Sequence, residues 1–334
     1  MDLKFLNFSA NLPPLSSMSM SNIDVVPMSI SQTTVEDFED LNQTVPMEIV
    51  DDSPYVKPRD LSSYDIIRTL GQGGQGRVEL ARVKDTGQLI ALKIVQIKDQ
   101  ATLEQVNKEL SALEQLSVPQ CHPFISCIYN HFYDPFNRQM LIEMEYIEGI
   151  DLDVWSKQFR DRRNFVALYH NLNLLTVDLC RALQYIHGKN LIHRDIKPAN
   201  ILITTGNQPK LIDFGLSCNP TLCPTENPNV SYTCCYGRAG TPIFLPPETI
   251  SKGESYFASD IWMLGGTLFK VASGIYAFPM PEPNNIPRVL QTILTDSPYV
   301  LQTSNLKLDQ VVNASLNKIP ENRPTVSTIL SWLL

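Results

Sequence analysis

The run His193-Arg194-Asp195-Ile196-Lys197-Pro198-Ala199-Asn200 constrains this chain of 334 residues more than any other part of it. A carboxylate is followed two positions on by an ammonium and five positions on by a carboxamide. Asp195 can accept a proton from a hydroxyl, Lys197 can neutralise a phosphate and Asn200 can bind a metal ion. An ordinary polar loop between a helix and a strand would not explain so many specified residues at fixed spacing.

The flanking sequence shows what holds the run. Before it, Leu175, Leu179, Leu183 and Ile186 form one apolar stripe of a helix. After it, Ile201–Ile203 and Lys210–Ile212 read as short strands around a Gly206-Asn207 turn, leading into Asp213-Phe214-Gly215. Asp213 can chelate magnesium, which favours one or two carboxylates together with phosphate oxygens. Nearer the N-terminus, three strands are expected at Tyr64–Leu70, Arg77–Val83 and Gln88–Val95, the last two joined by the turn Asp85-Thr86-Gly87. Leu103, Val106, Leu110, Leu113 and Leu116 then recur at helical spacing, and Met140–Ile147 reads as another strand. A β-rich part therefore precedes an α-rich part, with the join near residue 147 and no internal repeat.

Two further motifs lie in the β-rich part. Gly71-Gln72-Gly73-Gly74-Gln75-Gly76-Arg77-Val78 fits G-x-G-x-x-G-x-V. Such a loop can open a dinucleotide-binding unit when a helix follows, or lie over nucleotide phosphates when a strand follows. Here Val78–Val83 reads as a strand. In Ile90-Ala91-Leu92-Lys93 the strand period puts Ala91 and Lys93 on one face, which suits an adenine ring and its phosphates. Glu109, sixteen residues on, can pair with Lys93; Glu104 is the rival, and Glu109 is preferred because it places Leu113 one turn further along, toward the core.

In this order the motifs resemble the eukaryotic protein kinase family from about Tyr64 to the C-terminus. The resemblance implies an α+β, two-lobed protein kinase fold, with a small β-rich N-lobe over 64–147 and a larger α-helical C-lobe over 148–334. It implies ATP and Mg2+ as cofactors and phosphorylation of serine or threonine hydroxyls on protein substrates. Asp195, Lys197, Lys93 and Glu109 would be the catalytic set, and Asn200 and Asp213 the metal ligands. Leu70, Gly71, Gly73, Gly74, Gly76, Val78, Ala91, Lys93, Met144, Glu145, Ile147, Asp151 and Leu202 would hold the nucleotide. Within that set, Met144 resembles a gatekeeper, the backbones of Glu145 and Ile147 would face the adenine, and Asp151 would hold the ribose. Glu248 would pair with Arg323, Asp260 would brace the catalytic loop, and Leu113, Ile128, His193 and Phe214 would stack between the lobes. Pro246 stands where the family has alanine, and Ala199 where many basophilic members carry glutamate.

Lys197 and Gly240-Thr241-Pro242 fit the serine/threonine class. Arg194 suggests a basic pocket for a phosphate on the activation segment, expected at Thr233 or Ser231, and an activating kinase or a regulatory subunit is the further partner expected. Cys218, Cys223, Cys234 and Cys235 crowd the same segment. Four thiolates would complete a zinc site, although the spacing lacks paired C-x2-C knuckles; reduced thiols in a mobile loop are the plainer reading. With Arg238-Ala239-Gly240 after them, they give a distant similarity to the cell-cycle kinases that fire replication origins.

Charge and hydropathy narrow the remaining choices. Residues 1–60 hold ten acids against three bases and read as a disordered acidic leader, in which Ser53-Pro54 could be a phosphosite. The rest is nearly neutral, which gives no case for nucleic-acid binding. The apolar run Ile261–Phe269 is nine residues, against roughly 18 needed to span a membrane, so no membrane partner is expected. Seven cysteines, an odd number, suggest reduced thiols and an intracellular setting, cytoplasmic or nuclear. The alternatives are a pseudokinase scaffold and a small-molecule phosphotransferase. The presence of Lys93, Asp195, Asn200 and Asp213 argues against the first. Thr241, Pro247-Glu248 and Arg323 argue against the second.

Overall fold

A computed structural model describes residues 58–73, 76–223, 232–280 and 284–334. The expected leader and Ser53-Pro54 fall almost wholly outside that range. Near the start of the described residues, Arg59 bridges Asp85 at 3.1 Å and the buried Glu143 at 2.9 Å.

The smaller lobe is one antiparallel sheet. Strands β1 (Tyr64–Gly73), β2 (Gly76–Val83), β3 (Leu89–Gln96), β4 (Ile128–Asp134) and β5 (Gln139–Glu145) lie in the order β1-β2-β3-β5-β4. The β2–β3 hairpin closes as expected at residues 85–87, where Gly87 N–H donates to Val83 O. Gly76 has φ +133°, and a Cβ there would stand 2.3 Å from Ile94 O, so only glycine lets the glycine-rich hairpin lie against β3. Alternation in β3 feeds two cores. Ile90, Leu92 and Ile94 pack with Tyr64, Ala81, Val83 and Leu141 in a small cluster. Ala91, Lys93 and Val95 are buried on the other face, toward helix α1 (Gln100–Ser117). Asp99 caps α1 by accepting from Thr102 N at 2.8 Å. Its inner stripe of Val106, Leu110, Leu113 and Leu116 joins the main core.

The chain then passes through β6 (Gly149–Asp151) into the larger, helical lobe. Helix α2 (Leu152–Asp161) and the long α3 (Phe165–Gly188) lead to the short strands β7 (Ile201–Thr204) and β8 (Pro209–Leu211), which form a sheet in the order β6-β7-β8. A third sheet is made by β9 (Thr221–Leu222), β10 (Thr233–Tyr236) and, after α4 (Pro247–Lys252), β11 (Glu254–Ser255). Helix α5 (Phe257–Ser273) is apolar nearly all round and is buried accordingly, from Ile261 and Trp262 to Phe269 and Ala272. Helices α6 (Ile286–Thr295), α7 (Leu306–Ser315) and α8 (Val326–Leu333) close the lobe. The two-lobed α+β architecture is the expected one. Strands β4, β6 and the β9–β10–β11 sheet were not expected; β4 alternates apolar and polar residues only imperfectly, and the others have two to four residues each. Among the described residues, no helix is long and apolar enough to cross a membrane.

Candidate active site

Asp260 in α5 anchors the loop that begins at His193. Its carboxylate is wholly buried and accepts from His193 N, from Arg194 N and from His187 Nε2, each at 2.9 Å. Burial opposes charge on Asp260, but these donors hold its carboxyl below the usual range. The bonds also support Arg194 in a left-handed conformation, φ +66°. The anchored loop then presents Asp195. One oxygen, Oδ2, lies 2.6 Å from Lys197 Nζ and 2.9 Å from Asn200 Nδ2. The other, Oδ1, accepts from Thr241 N at 3.0 Å and from Thr241 Oγ1 at 2.7 Å. Lys197 Nζ also donates to Thr241 Oγ1 at 2.7 Å. Gly240, φ +124°, makes that approach possible: a Cβ there would lie 2.7 Å from Arg194 O and 2.8 Å from a Leu245 methyl.

From the smaller lobe, β3 and α1 bring Lys93 Nζ within 2.5 Å of Glu109 Oε1 and 4.0 Å of Asp213 Oδ1. Glu104, the rival partner, is exposed and meets Gln100 instead. Burial disfavours the Lys93 ammonium, but Glu109 and Asp213 outweigh it and hold its pKa above the ordinary value. Burial likewise pushes the Glu109 carboxyl up, with Lys93 as the charge that draws it down. Asp213 is held below the usual carboxylate range despite desolvation, chiefly by Lys93 and by the Gly215 amide. It is therefore ionised, as a magnesium ligand must be. Asn200 spends its Nδ2 on Asp195 and can offer its amide oxygen. These two donors fit a magnesium ion that takes its other ligands from phosphate and water.

Ala91 is buried opposite Met144 across the β3–β5 ladder, and Val78 lies opposite Lys93 across β2–β3. Val78, Met144, Ile147 and Leu202 are half-buried and Leu70 is exposed. Glu145 donates its backbone N–H to Cys127 O, and its carboxylate meets Lys210 at 2.8 Å. Asp151 Oδ1 caps α2 through Val154 N, with Oδ2 left over. Gly71 and Gly73 lie on β1 and Gly76 opens β2, while Gly74 lies outside the described residues. Leu113, Ile128 and Phe214 belong to one core, and His193 packs against Phe214 with the rings tilted and their centroids 4.8 Å apart. Burial lowers the His193 pKa, and its Nδ1 accepts from Asp195 N, so the ring is neutral. Arg323 meets Glu248 in a two-pronged pair at 2.7 and 2.8 Å. His187, which stands in no motif, was missed from the sequence, and so was the role of Ser259, the neighbour of Asp260, which donates to Glu248 at 2.7 Å.

Two cysteine expectations need correction. The segment after Phe214 carries two disulfides, Cys218–Cys235 and Cys223–Cys234, and a third joins Cys121 to Cys127; Cys180 is free and buried. The thiols expected to be reduced are therefore mostly paired. Zinc is not supported either: bridged sulfurs cannot act as thiolate ligands, and among the described residues no group of three or more His, Cys, Asp or Glu could hold a metal. The Arg194 Nε donates to Leu216 O at 2.7 Å, and one terminal nitrogen reaches Gly237 O at 3.5 Å. Desolvation lowers its pKa to about 10. Thr233 is exposed, and Ser231 lies outside the described residues.

Comparison with known proteins agrees with this geometry. The protein kinase domain family matches residues 64–333. Serine/threonine-protein kinase Aurora-1 of Arabidopsis thaliana is 32% identical over 265 residues, covering 78% of this chain and 83% of that protein. The cAMP-dependent protein kinase type 3 of Saccharomyces cerevisiae is 33% identical over 218 residues, covering 65% and 50%. Mitogen-activated protein kinase kinase 3 of Arabidopsis thaliana is 29% identical over an alignment of 337 positions, covering 98% and 61%. The chain spans about half the length of the first curated relatives it matches.

Proposed function

The chain belongs to the eukaryotic-type serine/threonine protein kinase family, and from that premise we propose that it transfers the γ-phosphoryl group of ATP to serine or threonine hydroxyls of protein substrates. The observation that carries the reading is the Asp195 carboxylate, fixed by four donors from Lys197, Asn200 and Thr241. A carboxylate so fixed can orient a hydroxyl and take its proton as the oxygen bonds to the γ-phosphorus and the bond to the ADP oxygen breaks. Lys197, beside it, offsets charge on the transferring group. Lys93, held by Glu109, positions the α- and β-phosphates, and the glycine-rich hairpin covers them. Asn200 and Asp213 would hold magnesium, which neutralises phosphate charge when bound. Val78, Ala91, Met144, Leu202 and the Glu145 and Ile147 backbones would take the adenine, with Asp151 at the ribose. The shared bond of Lys197 and Thr241 to Asp195 supports the serine/threonine assignment over tyrosine.

The test is Asp195→Asn. The variant keeps the size and most of the hydrogen bonds of the side chain but loses its charge. It should bind ATP and magnesium as the parent does and transfer phosphate about 10²–10⁴-fold more slowly. Transfer within a few-fold of the parent, with the protein shown to be folded, would overturn the assignment. Unmeasurable transfer by the parent, with normal nucleotide binding, would favour the scaffold reading.

A further inference from the structure

The Cys218–Cys235 bridge joins two places that matter to the site. Cys218 is pinned to Ile192 by a pair of backbone hydrogen bonds, 2.9 and 3.0 Å, immediately before the loop that bears Asp195. Cys235 lies in β10 opposite Ser255, on the limb that continues through Gly237 to Thr241. The Cα atoms are 6.2 Å apart. The second pair, Cys223–Cys234 with Cα atoms 5.5 Å apart, closes the β9–β10 hairpin just outside the first. Both separations suit a disulfide. Arg194 sits at the inner bridge: the carbonyls it engages, Leu216 and Gly237, are each two residues from a bridged cysteine.

We propose that Cys218, Cys223, Cys234 and Cys235 form a reversible thiol–disulfide modification site that orders the substrate-binding limb when oxidised, and so controls the kinase activity proposed above. The inference rests on that reading. In the oxidised form Thr241 is bonded to Asp195 and Lys197, and Arg194 donates to the Leu216 and Gly237 carbonyls. The oxidant is a small-molecule disulfide such as oxidised glutathione. A cysteine thiolate attacks one of its sulfurs and expels glutathione thiolate; the partner cysteine, deprotonated, then attacks the mixed disulfide and expels the second. Two thiols become one protein disulfide, two glutathiones are released, and dithiothreitol reverses the exchange.

The full chain is equilibrated in glutathione buffers of graded ratio. Thiols are trapped with N-ethylmaleimide and mapped by mass spectrometry. Transfer to casein and hydrogen exchange over residues 214–245 are followed in parallel. Opening a bridge of sequence separation 17 returns loop entropy, so reduction should lower kcat/KM for the protein acceptor about tenfold or more. The Kd for ATP should stay unchanged, because neither bridge includes a residue proposed to take the adenine. Exchange over residues 214–245 should rise in step with the trapped thiols. Replacing all four cysteines with serine should give the reduced-like behaviour and abolish the response to dithiothreitol. Three results overturn the proposal: a parent whose activity and exchange ignore reduction although the four thiols are trapped; a four-serine variant that still responds, which would assign the effect to Cys121–Cys127; or a response lost on phosphatase treatment of the oxidised protein. If no transfer occurs in either state, the kinase reading fails and the exchange and trapping arms alone decide the staple. A Cys223→Ser/Cys234→Ser variant, opening only the outer bridge, should show an intermediate response and covers the case in which the four-serine protein does not fold.

Discussion

Replacing Lys93 with methionine should make the protein's stability depend on pH more steeply than the parent's does. Glu109 is 4% exposed, and its one hydrogen bond is to Lys93. The variant leaves a buried carboxylate with no partner, and Asp213, the other carboxylate that Lys93 engages, pushes the Glu109 carboxyl further up. Where Glu109 is ionised, an uncompensated buried charge costs about 3–5 kcal/mol. For a body of this size that is roughly 6–20 °C in Tm. The folded-state pKa of Glu109 is raised above its unfolded value, so its protonated form favours the fold. That contribution is fully present below the unfolded carboxyl pKa and is lost as pH rises through the folded one. Within the window each pH unit changes stability by about 1.4 kcal/mol at most. The Tm deficit of Lys93→Met relative to the parent should therefore shrink between pH 8 and pH 5.5, as Glu109 takes up a proton. Adding Glu109→Gln to the variant should flatten the profile. A deficit of equal size at both pH values would show that Glu109 is not the group left stranded, and the argument would fail.

Two further outcomes follow from buried charge. Glu248→Ala should cost about 3–5 kcal/mol in chemical denaturation, because Arg323 loses its two-pronged carboxylate partner and keeps the backbone carbonyls of Ala258, Asn317 and Lys318 and the face of Trp262; a loss under about 1 kcal/mol would contradict this. Arg59→Ala should cost less, about 1–3 kcal/mol, since Glu143 retains Tyr64 Oη and Asn130 Nδ2, each at 2.8 Å. The exposed Asp85 arm of that bridge should add little, so Asp85→Ala should be nearly silent by the same measurement.

The sequence was most informative where chemistry depends on residues close together in the chain. Asp195, Lys197 and Asn200 fall within six residues, and the loop geometry follows from their spacing and from Asp260. The Lys93–Glu109 pair was legible because a carboxylate in an otherwise apolar helical stripe needs a partner, whereas Glu104 does not lie on that stripe. Strand β4 was missed because His131 and Asn130 interrupt its alternation while Glu114 and Glu143 satisfy them from outside. The cysteine pairing could not be read at all. Cys218 and Cys235 are seventeen apart, and they meet through β-pairings of two residues each, too short to leave a periodic trace. The backbone partners of Arg194, the Leu216 and Gly237 carbonyls, could not be read either, because carbonyls leave no mark in a sequence.

The register of β3 has a consequence for how faithfully active molecules are made. Lys93 stands opposite Val78 and Ile142, on the face turned toward α1, while Ile90, Leu92 and Ile94 fill the small cluster behind the sheet. A slip of one residue would exchange the two faces. Lys93 would then enter a pocket formed by Tyr64, Ala81, Val83 and Leu141, where its ammonium would meet no carboxylate from α1, while Ile90, Leu92 and Ile94 would be driven into the space that now holds Ala91, Lys93 and Val95. That little cluster thus acts as a proofreader: slipped pairings that would part Lys93 from Glu109 are made unstable before they can accumulate.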